Sequence, residues 1–387
     1  MKTTFSAVLL GTALYLSAAA QEATFSTKSA ALWLEPHLSG LALLREDGRA
    51  VYWGSETEVL ASGLGGDSIL SCGGQLYGTE ADNDLLNISS GERGLKVALH
   101  SRPACLEGEL VILDEDASEL LRLSADLQVQ ASVPVDALPD AELVTADLDS
   151  DGVSEIILLT GPTERYAHAV LGDGLEAASV SVFSDDLDLI ANYSLPEPFV
   201  IEQRRALPFA FDISGQVTTG MLLTRSSNQT GAGVVLLRLS EGGLELLAEA
   251  PPIGTGFRWL NAFASAGGSA YAVRTPHIGG PLERYRLQDG ELRAEPFDLG
   301  VTNHVYGARN LDLGVLLTSD SKQDVLAVAL QDLNGVRLIS CAARCEVSAT
   351  FETAAPLSSN LVRLERDGDI YVAFADTSGA VYVMEGE

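Results

Sequence analysis

The sequence predicts an all-β fold in which one small antiparallel sheet is repeated along the chain. Three observations carry this. Apolar runs are mostly about five to eight residues long, turn residues close them at both ends, and the pattern of runs recurs. The clearest runs are 155–160 (EIILLT), 233–239 (GVVLLRL), 244–248 (LELLA), 325–330 (VLAVAL) and 370–375 (IYVAFA). They are too short for ordinary helices. They are also continuous rather than alternating, as strands buried on both faces are. Helical spacing of apolar residues is scarce. With 37 glycines and only 6 % aromatic residues, the chain is supplied for many tight reversals.

The recurrence sets the architecture. One strand follows an Asp/Gly/Ser-rich loop, a second comes after a short loop, and a third follows a tight turn such as Glu241-Gly242-Gly243 or Asp289-Gly290. Anchors of this unit fall at Asp147, Asp212, Ser265, Asp320 and Asp367, with spacings of 65, 53, 55 and 47 residues. That period fits a four-stranded blade, so the expected fold is a single β-propeller over 21–387. Its repeats are clear in 141–387 and diverged in 21–140, where two or three more fit. Seven blades are expected, with six and eight as the alternatives. No Pro/Ser-rich linker or charge run divides the chain. A solenoid or stacked sandwich domains are the competing architectures.

The N-terminus reads as a secretory signal over 1–20. Lys2 is followed by an apolar stretch at 5–16, and Ala18 and Ala20 have the small-residue spacing of a cleavage site. The expected mature chain starts near Gln21 and reaches the periplasm or the cell exterior; a buried first strand or helix is the competing reading. No later run is long and apolar enough for a transmembrane helix. A net charge of −30 and a pI near 4.3 repel nucleic acid and anionic lipid and speak against both as partners. The four cysteines, Cys72, Cys105, Cys341 and Cys345, allow three pairings. After export, disulfides Cys72–Cys105 and Cys341–Cys345 are expected; a metal site finds no nearby histidine or second Cys-x-x-Cys.

The strongest single motif is LVTADLDSDGVSEIILLT at 143–160. Asp147, Asp149, Asp151 and Glu155 stand at positions 1, 3, 5 and 9 of a tight loop, and Gly152 permits its sharp turn. Alternating carboxylates there can converge on one hard cation, with the Val153 carbonyl adding a ligand and Glu155 closing the cage. Such oxygen ligands suit a structural Ca²⁺. Only the first half matches an EF-hand: position 12 is Leu158, and a strand follows where a helix would. A solvated acidic turn is the plainer alternative.

An acidic loop ahead of an apolar strand resembles the FG-GAP/VCBS repeat, the blade unit of integrin-α-type propellers. The wider chain is similar to exported bacterial VCBS-repeat proteins, through GPTERYAHAVLGDGLEA (161–177), PPIGTGFRWL (251–260), RTPHIGGPLERYRL (274–287) and VTNHVYGARNLDLG (301–314). The resemblance covers 141 to the C-terminus well and the first 140 residues poorly. It implies a propeller and no particular reaction. The chain departs from the pattern in its later loops: DISGQVTTG (212–220) keeps only Asp212, AFASAGGSAYAV (262–273) keeps no carboxylate, and LLTSDSKQD (316–324) keeps Asp320 and Asp324. The calcium expectation therefore rests on the first loop alone.

The same four stretches hold His168, His277 and His304, together with Arg165, Tyr166, Arg258, Trp259, Asn303 and Arg309. Connections of successive blades converge on one face of a propeller. A ring of His, Arg and aromatic groups there suits an anionic or carbohydrate-like ligand, or, through the three histidines, a transition metal. Bridging between neighbouring blades is the structural alternative. No nucleophile elbow, His-Glu-x-x-His or phosphate-cradling loop occurs, and no catalytic residue is assigned. The expected function is that of a monomeric, non-enzymatic propeller that binds or scaffolds a protein or carbohydrate-like ligand. The alternative is an enzyme acting on a glycan or phosphorylated molecule at the channel mouth.

Overall fold

The computed structural model describes residues 24–27, 29–54, 57–213, 215–320 and 323–386, and the signal expected at 1–20 lies outside them. Apart from one 3-10 turn at Pro276–Ile278, every regular element among the described residues is a β-strand. The strands follow one another in antiparallel groups of four. Unit 1 holds Ala31–His37, Gly40–Arg45, Ala50–Trp53 and Thr57–Ala61. Unit 2 holds Leu64–Cys72, Gln75–Glu80, Asp84–Asn87 and Glu92–Lys96. Unit 3 holds Ala104–Leu106, Glu109–Leu113, Glu119–Leu123 and Val129–Pro134. Unit 4 holds Val144–Ala146, Glu155–Thr163, Glu176–Phe183 and Leu189–Ser194. Unit 5 holds Leu207–Ile213, Gln216–Ser226, Gly233–Ser240 and Gly243–Glu249. Unit 6 holds Leu260–Ala266, Ser269–Arg274, Leu282–Gln288 and Glu291–Phe297. Unit 7 holds Gly314–Ser319, Asp324–Leu330, Gly335–Cys341 and Cys345–Glu352. Unit 8 holds Val362–Arg366, Asp369–Ala375 and Ala380–Glu385, and its fourth strand is Phe25–Ser26 from the other end of the chain.

Hydrogen bonding groups these strands into seven sheets, the number expected. One sheet has nine strands, because Val200–Ile201 pairs on one side with unit 4 and on the other with unit 5. Counted by four-stranded units there are thus eight. Each of the five anchors falls at or near the turn between the first and second strand of units 4 to 8, so the repeat period was read in phase. The first 140 residues hold three units, the upper end of the expectation.

Packing explains the apolar runs. The middle strands, such as Asp324–Leu330 and Asp369–Ala375, are covered on both faces by neighbouring units and so need no alternation. The run 244–248 departs from that expectation. It lies in a fourth strand at the rim, where one side faces solvent and Leu246 is exposed. Each core lies between consecutive units rather than within one. Trp33, Ala42 and Leu44 of unit 1 meet Ile69 and Leu76 of unit 2, and Leu326 and Val328 of unit 7 meet Tyr271 and Val273 of unit 6. The same holds for the two ends of the series. Leu34, Leu41 and Leu43 of unit 1 pack on Ala373, Ala375 and Val381 of unit 8. There Asn360 accepts from the Leu34 amide at 2.7 Å and donates to the Leu34 carbonyl at 3.0 Å, replacing a strand partner with a side chain.

Both expected disulfides form. Cys72–Cys105 ties the first strand of unit 2 to that of unit 3, and Cys341–Cys345 closes the outer hairpin of unit 7.

Candidate functional site

Sequence-distant segments meet where the chain enters each first strand. Of the predicted site residues, Tyr166, His168, Trp259, His277 and His304 come together, with Phe257 and Tyr306 added. Trp259 is buried, and its indole donates to the Glu202 carbonyl at 2.7 Å. Its ring stacks on His277 with centroids 5.9 Å apart and meets His304 edge-on at 4.7 Å. Tyr166 stacks on Phe257 at 5.3 Å, and its hydroxyl accepts from the Phe257 amide. Tyr306 donates to the His168 carbonyl, joining the two groups. Beneath them Val170, Leu171, Trp259 and Leu311 form a small separate core.

The histidines serve this packing. His304 Nε2 lies 2.8 Å from the Ala308 carbonyl, and His277 Nε2 lies 2.8 Å from His304 Nδ1. A carbonyl only accepts, so His304 Nε2 carries the proton, and His277 Nε2–H donates to its Nδ1. This chain needs the His304 ring neutral, since its Nδ1 must accept. Burial pushes His277 down to about 4 and His304 to about 3, so both are neutral at physiological pH. Among the described residues, groups of three or more ligand atoms close enough for one metal ion contain only carboxylates, so the three histidines do not form one.

Other predicted residues are spent on connections. Arg165 donates to the carbonyls of Leu195 and Phe199, buried Asn303 donates to the Asn261 carbonyl at 2.9 Å, and Arg258 is exposed and donates to its neighbour's carbonyl.

Next to the aromatic group lies a charged layer that the sequence reading missed. Arg205 donates to Glu142 at 2.6 Å and with two nitrogens to Asp312. Arg204 pairs with Asp140 and Glu142, each at 3.2 Å, and Arg309 pairs with Asp140 at 3.5 Å and Asp173 at 3.3 Å. Arg102 lies over the Trp33 ring at 4.6 Å, 3.6 Å from Glu35 and 3.7 Å from Asp312. Burial pushes Asp312 up, but the guanidinium of Arg205, backed by Arg102 and Arg204, outweighs it and holds this carboxyl below its ordinary range. Glu35 goes the other way: burial raises it more than Arg102 lowers it.

Two cavities share Arg102 and Glu142 in their walls. One, of about 240 Å³, lies at the entering ends of the first strands; the other, of about 440 Å³, lies further along them, against Leu70, Pro208 and Phe263. The smaller is walled by Trp33, Asp67, Arg102, Glu142, Arg204, Arg309 and Ser358, contributed by units 1, 2, 3, 4, 5, 7 and 8 or the segments leading into them.

A second unforeseen group is Glu176 with Glu202. The register Ala177↔Ile201 sets these two carboxylates directly opposite each other on adjacent strands. Glu176 is 1 % exposed and Glu202 0 %. Both Glu176 oxygens and Glu202 Oε2 have no hydrogen-bond partner, while Glu202 Oε1 lies 2.5 Å from His168 Nδ1. Burial, reinforced by Glu202, Asp140 and Asp173, pushes Glu176 up to about 10. No local pattern announces these residues. The one clue is the run Glu202-Gln203-Arg204-Arg205, adjacent cations in a chain with only 24 Lys and Arg.

The acidic loop lies at the other end of the first strands, between Val144–Ala146 and Glu155–Thr163. In units 1, 2, 3, 5, 6 and 8 that link is two residues long and in unit 7 four, so a loop of this length occurs in unit 4 alone. Carboxylate oxygens of Asp147, Asp149 and Asp151 lie within 4.8 Å of one another. Backbone amides of Ser150, Asp151, Gly152 and Val153 donate to them and shape the turn, with Gly152 at φ +91°. Glu155 stands apart: its buried carboxylate accepts from the Leu148 amide at 2.7 Å. A second trio, Glu80, Asp82 and Asp84, has similar spacing but carries cations, with Arg93 on Glu80 at 2.5 Å and Lys96 on Asp84 at 2.9 Å.

No protein-family model and no curated protein matches the sequence. Solved structures do resemble the chain. Sqt1 of Saccharomyces cerevisiae is 11 % identical with a TM-score of 0.58, over 95 % of this chain and 100 % of that one. The computationally designed Ika8 protein is 10 % identical with a TM-score of 0.56, over 95 % and 99 %. BamB from Moraxella catarrhalis is 10 % identical with a TM-score of 0.52, over 93 % and 99 %. At these identities the likeness is one of fold, of the β-propeller type.

Proposed function

We propose that the chain closes into an eight-bladed propeller and works as an exported, non-enzymatic binding module, with one calcium ion held by the 147–155 loop. Closure is supported by the strand from the N-terminal end that completes unit 8, by the core shared between units 8 and 1, and by a cavity walled from seven units. Two disulfides suit an oxidising compartment, and no helix among the described residues is long and apolar enough to cross a membrane. The observation that carries binding over catalysis is what the face residues do. Trp259, His304, Asn303 and Arg165 are spent on joining segments, and what stays open beside the charged layer is the small cavity at the channel mouth. The enzyme reading draws on His168 bonded to Glu202 beside Glu176. Those carboxylates are sealed from solvent, so a glycan or phosphorylated substrate has no access to them.

Calcium is proposed at Asp147, Asp149 and Asp151 because three carboxylates converge there and no ion pair among the described residues offsets them. Glu155 and the Val153 carbonyl would join through small movements of the loop. The test is thermal unfolding with Ca²⁺ and with a chelator, on the protein and on Asp149→Ala. A ligand held only by the native state stabilises it by about 2.7 kcal/mol at a hundred times its Kd. A Ca²⁺-dependent rise in Tm that disappears in Asp149→Ala is expected. An identical Tm in both solutions reduces the loop to a solvated turn.

A further inference from the structure

Building on the binding-module reading, we propose that the channel-mouth cavity is a site for a small hydroxylated monocarboxylate, the chemistry of a uronic acid, with Arg102 as the carboxylate-binding group. Arg102 is the under-used cation of the charged layer. No hydrogen bond among the described residues uses its guanidinium, whose two ion pairs are loose at 3.6 and 3.7 Å. Arg204 and Arg205, by contrast, are committed to carboxylates and carbonyls. Arg102 is also held in place. Its guanidinium carbon lies 4.6 Å from the centre of the Trp33 ring, which holds the donors in place while the side chain is still 26 % exposed. A fixed guanidinium fork matches the two oxygens of a carboxylate.

The rest of the wall narrows the ligand class. Asp67 and Glu142 are anions, which disfavour a doubly charged phosphate and accept from hydroxyl groups. Ser68 adds a hydroxyl, and Asn310, whose carbonyl accepts from the Asp312 amide at 2.8 Å, keeps its NH₂ as a donor. Arg204 and Arg309 also line the wall but are paired with Asp140, Glu142 and Asp173, so the acceptors and donors around Arg102 suit a molecule carrying several hydroxyls and one carboxylate. The volume of about 240 Å³ is below the roughly 300–1,000 Å³ of sites for drug-sized ligands, which limits the ligand to about one sugar ring.

The experiment is calorimetric titration of the purified protein with D-glucuronate, D-glucose and inorganic phosphate, repeated on Arg102→Gln and Ser68→Tyr. The expected result is glucuronate binding at least tenfold tighter than glucose or phosphate, and at least tenfold weaker in both variants. Ser68→Tyr fills the cavity and removes no charge from the layer, so it decides the matter if Arg102→Gln does not fold. Equal binding of glucuronate and glucose, tighter binding of phosphate, or unchanged affinity in either folded variant overturns the assignment. Absence of all binding to the native protein also overturns it. The calcium-dependent Tm is read separately, so this site can fail while the module reading stands, and the reverse.

Discussion

Two groups of buried charge lie side by side at the entering ends of the first strands, and they are built on opposite terms. In the charged layer, Arg102, Arg204, Arg205 and Arg309 face Glu35, Asp140, Glu142 and Asp312, and each carboxylate touches at least one guanidinium. A few residues away, Glu176 and Glu202 oppose each other across a strand pair, with His168 and Ser226 beside Glu202 and, among the described residues, no guanidinium paired to either. The first group resolves its charge by pairing, the second by keeping a proton. Desolvation is common to both; the partner set decides whether a buried carboxylate acts as a rivet or as a titrating group.

The largest test of that contrast is Arg205→Leu. Removing this guanidinium leaves buried Glu142 and half-buried Asp312 with weaker partners, and breaking a buried pair costs about 3–5 kcal/mol. Urea unfolding should show a loss of that order. Replacing Asp312 by Leu in the same chain should recover part of it, since the uncompensated anion is then gone. A loss below about 1 kcal/mol would place the layer with surface ion pairs and dissolve the contrast.

Glu176→Gln probes the other side and should have the opposite sign. Glu176 is raised from 4.5 to about 10 by burial and by the neighbouring carboxylates, so the folded chain holds a proton that the unfolded chain has released. Its contribution is whole below pH 4.5 and is lost as pH climbs towards about 10, at no more than about 1.4 kcal/mol per pH unit. Gln keeps the neutral shape without the titration. The variant should therefore match the parent near pH 5 and exceed it at pH 8, with a flatter stability profile between. Parallel profiles would mean that Glu176 is ionised in the native state and that a cation stands where the proton is placed.

The same contrast explains what the sequence made legible. The repeat was readable because each unit carries its own strands and turn, a local pattern confirmed at Asp147, Asp212, Ser265, Asp320 and Asp367. The disulfides and the acidic loop were readable for the same reason: Cys341 and Cys345 flank one hairpin end, and Asp147 to Asp151 sit on one loop. The convergence of His168, Trp259, His277 and His304 followed from the repeat, since equivalent connections share a face. The charged layer was not readable. Arg102, Glu142, Arg205 and Asp312 come one from each of several units, and only the three-dimensional arrangement gives them partners. Glu176 and Glu202 were hidden by register, because nothing in either local sequence says that Val200–Ile201 will bridge two units. The unit count was blurred in the first 140 residues, where acidic turns do not mark the repeats.

At the surface the contrast recurs at its smallest scale. Glu80, Asp82 and Asp84 are as closely spaced as Asp147, Asp149 and Asp151, yet Arg93 and Lys96 already compensate them. Arg93 is largely exposed, so its bond to Glu80 adds little stability. Glu80→Gln should thus lower stability only slightly, and it should leave the Ca²⁺-dependent rise in Tm unchanged, since an ion there would have to displace two cations. Should Glu80→Gln remove the calcium response while Asp149→Ala retains it, carboxylate spacing would outweigh charge balance, and the bound ion would belong to unit 2 instead of unit 4.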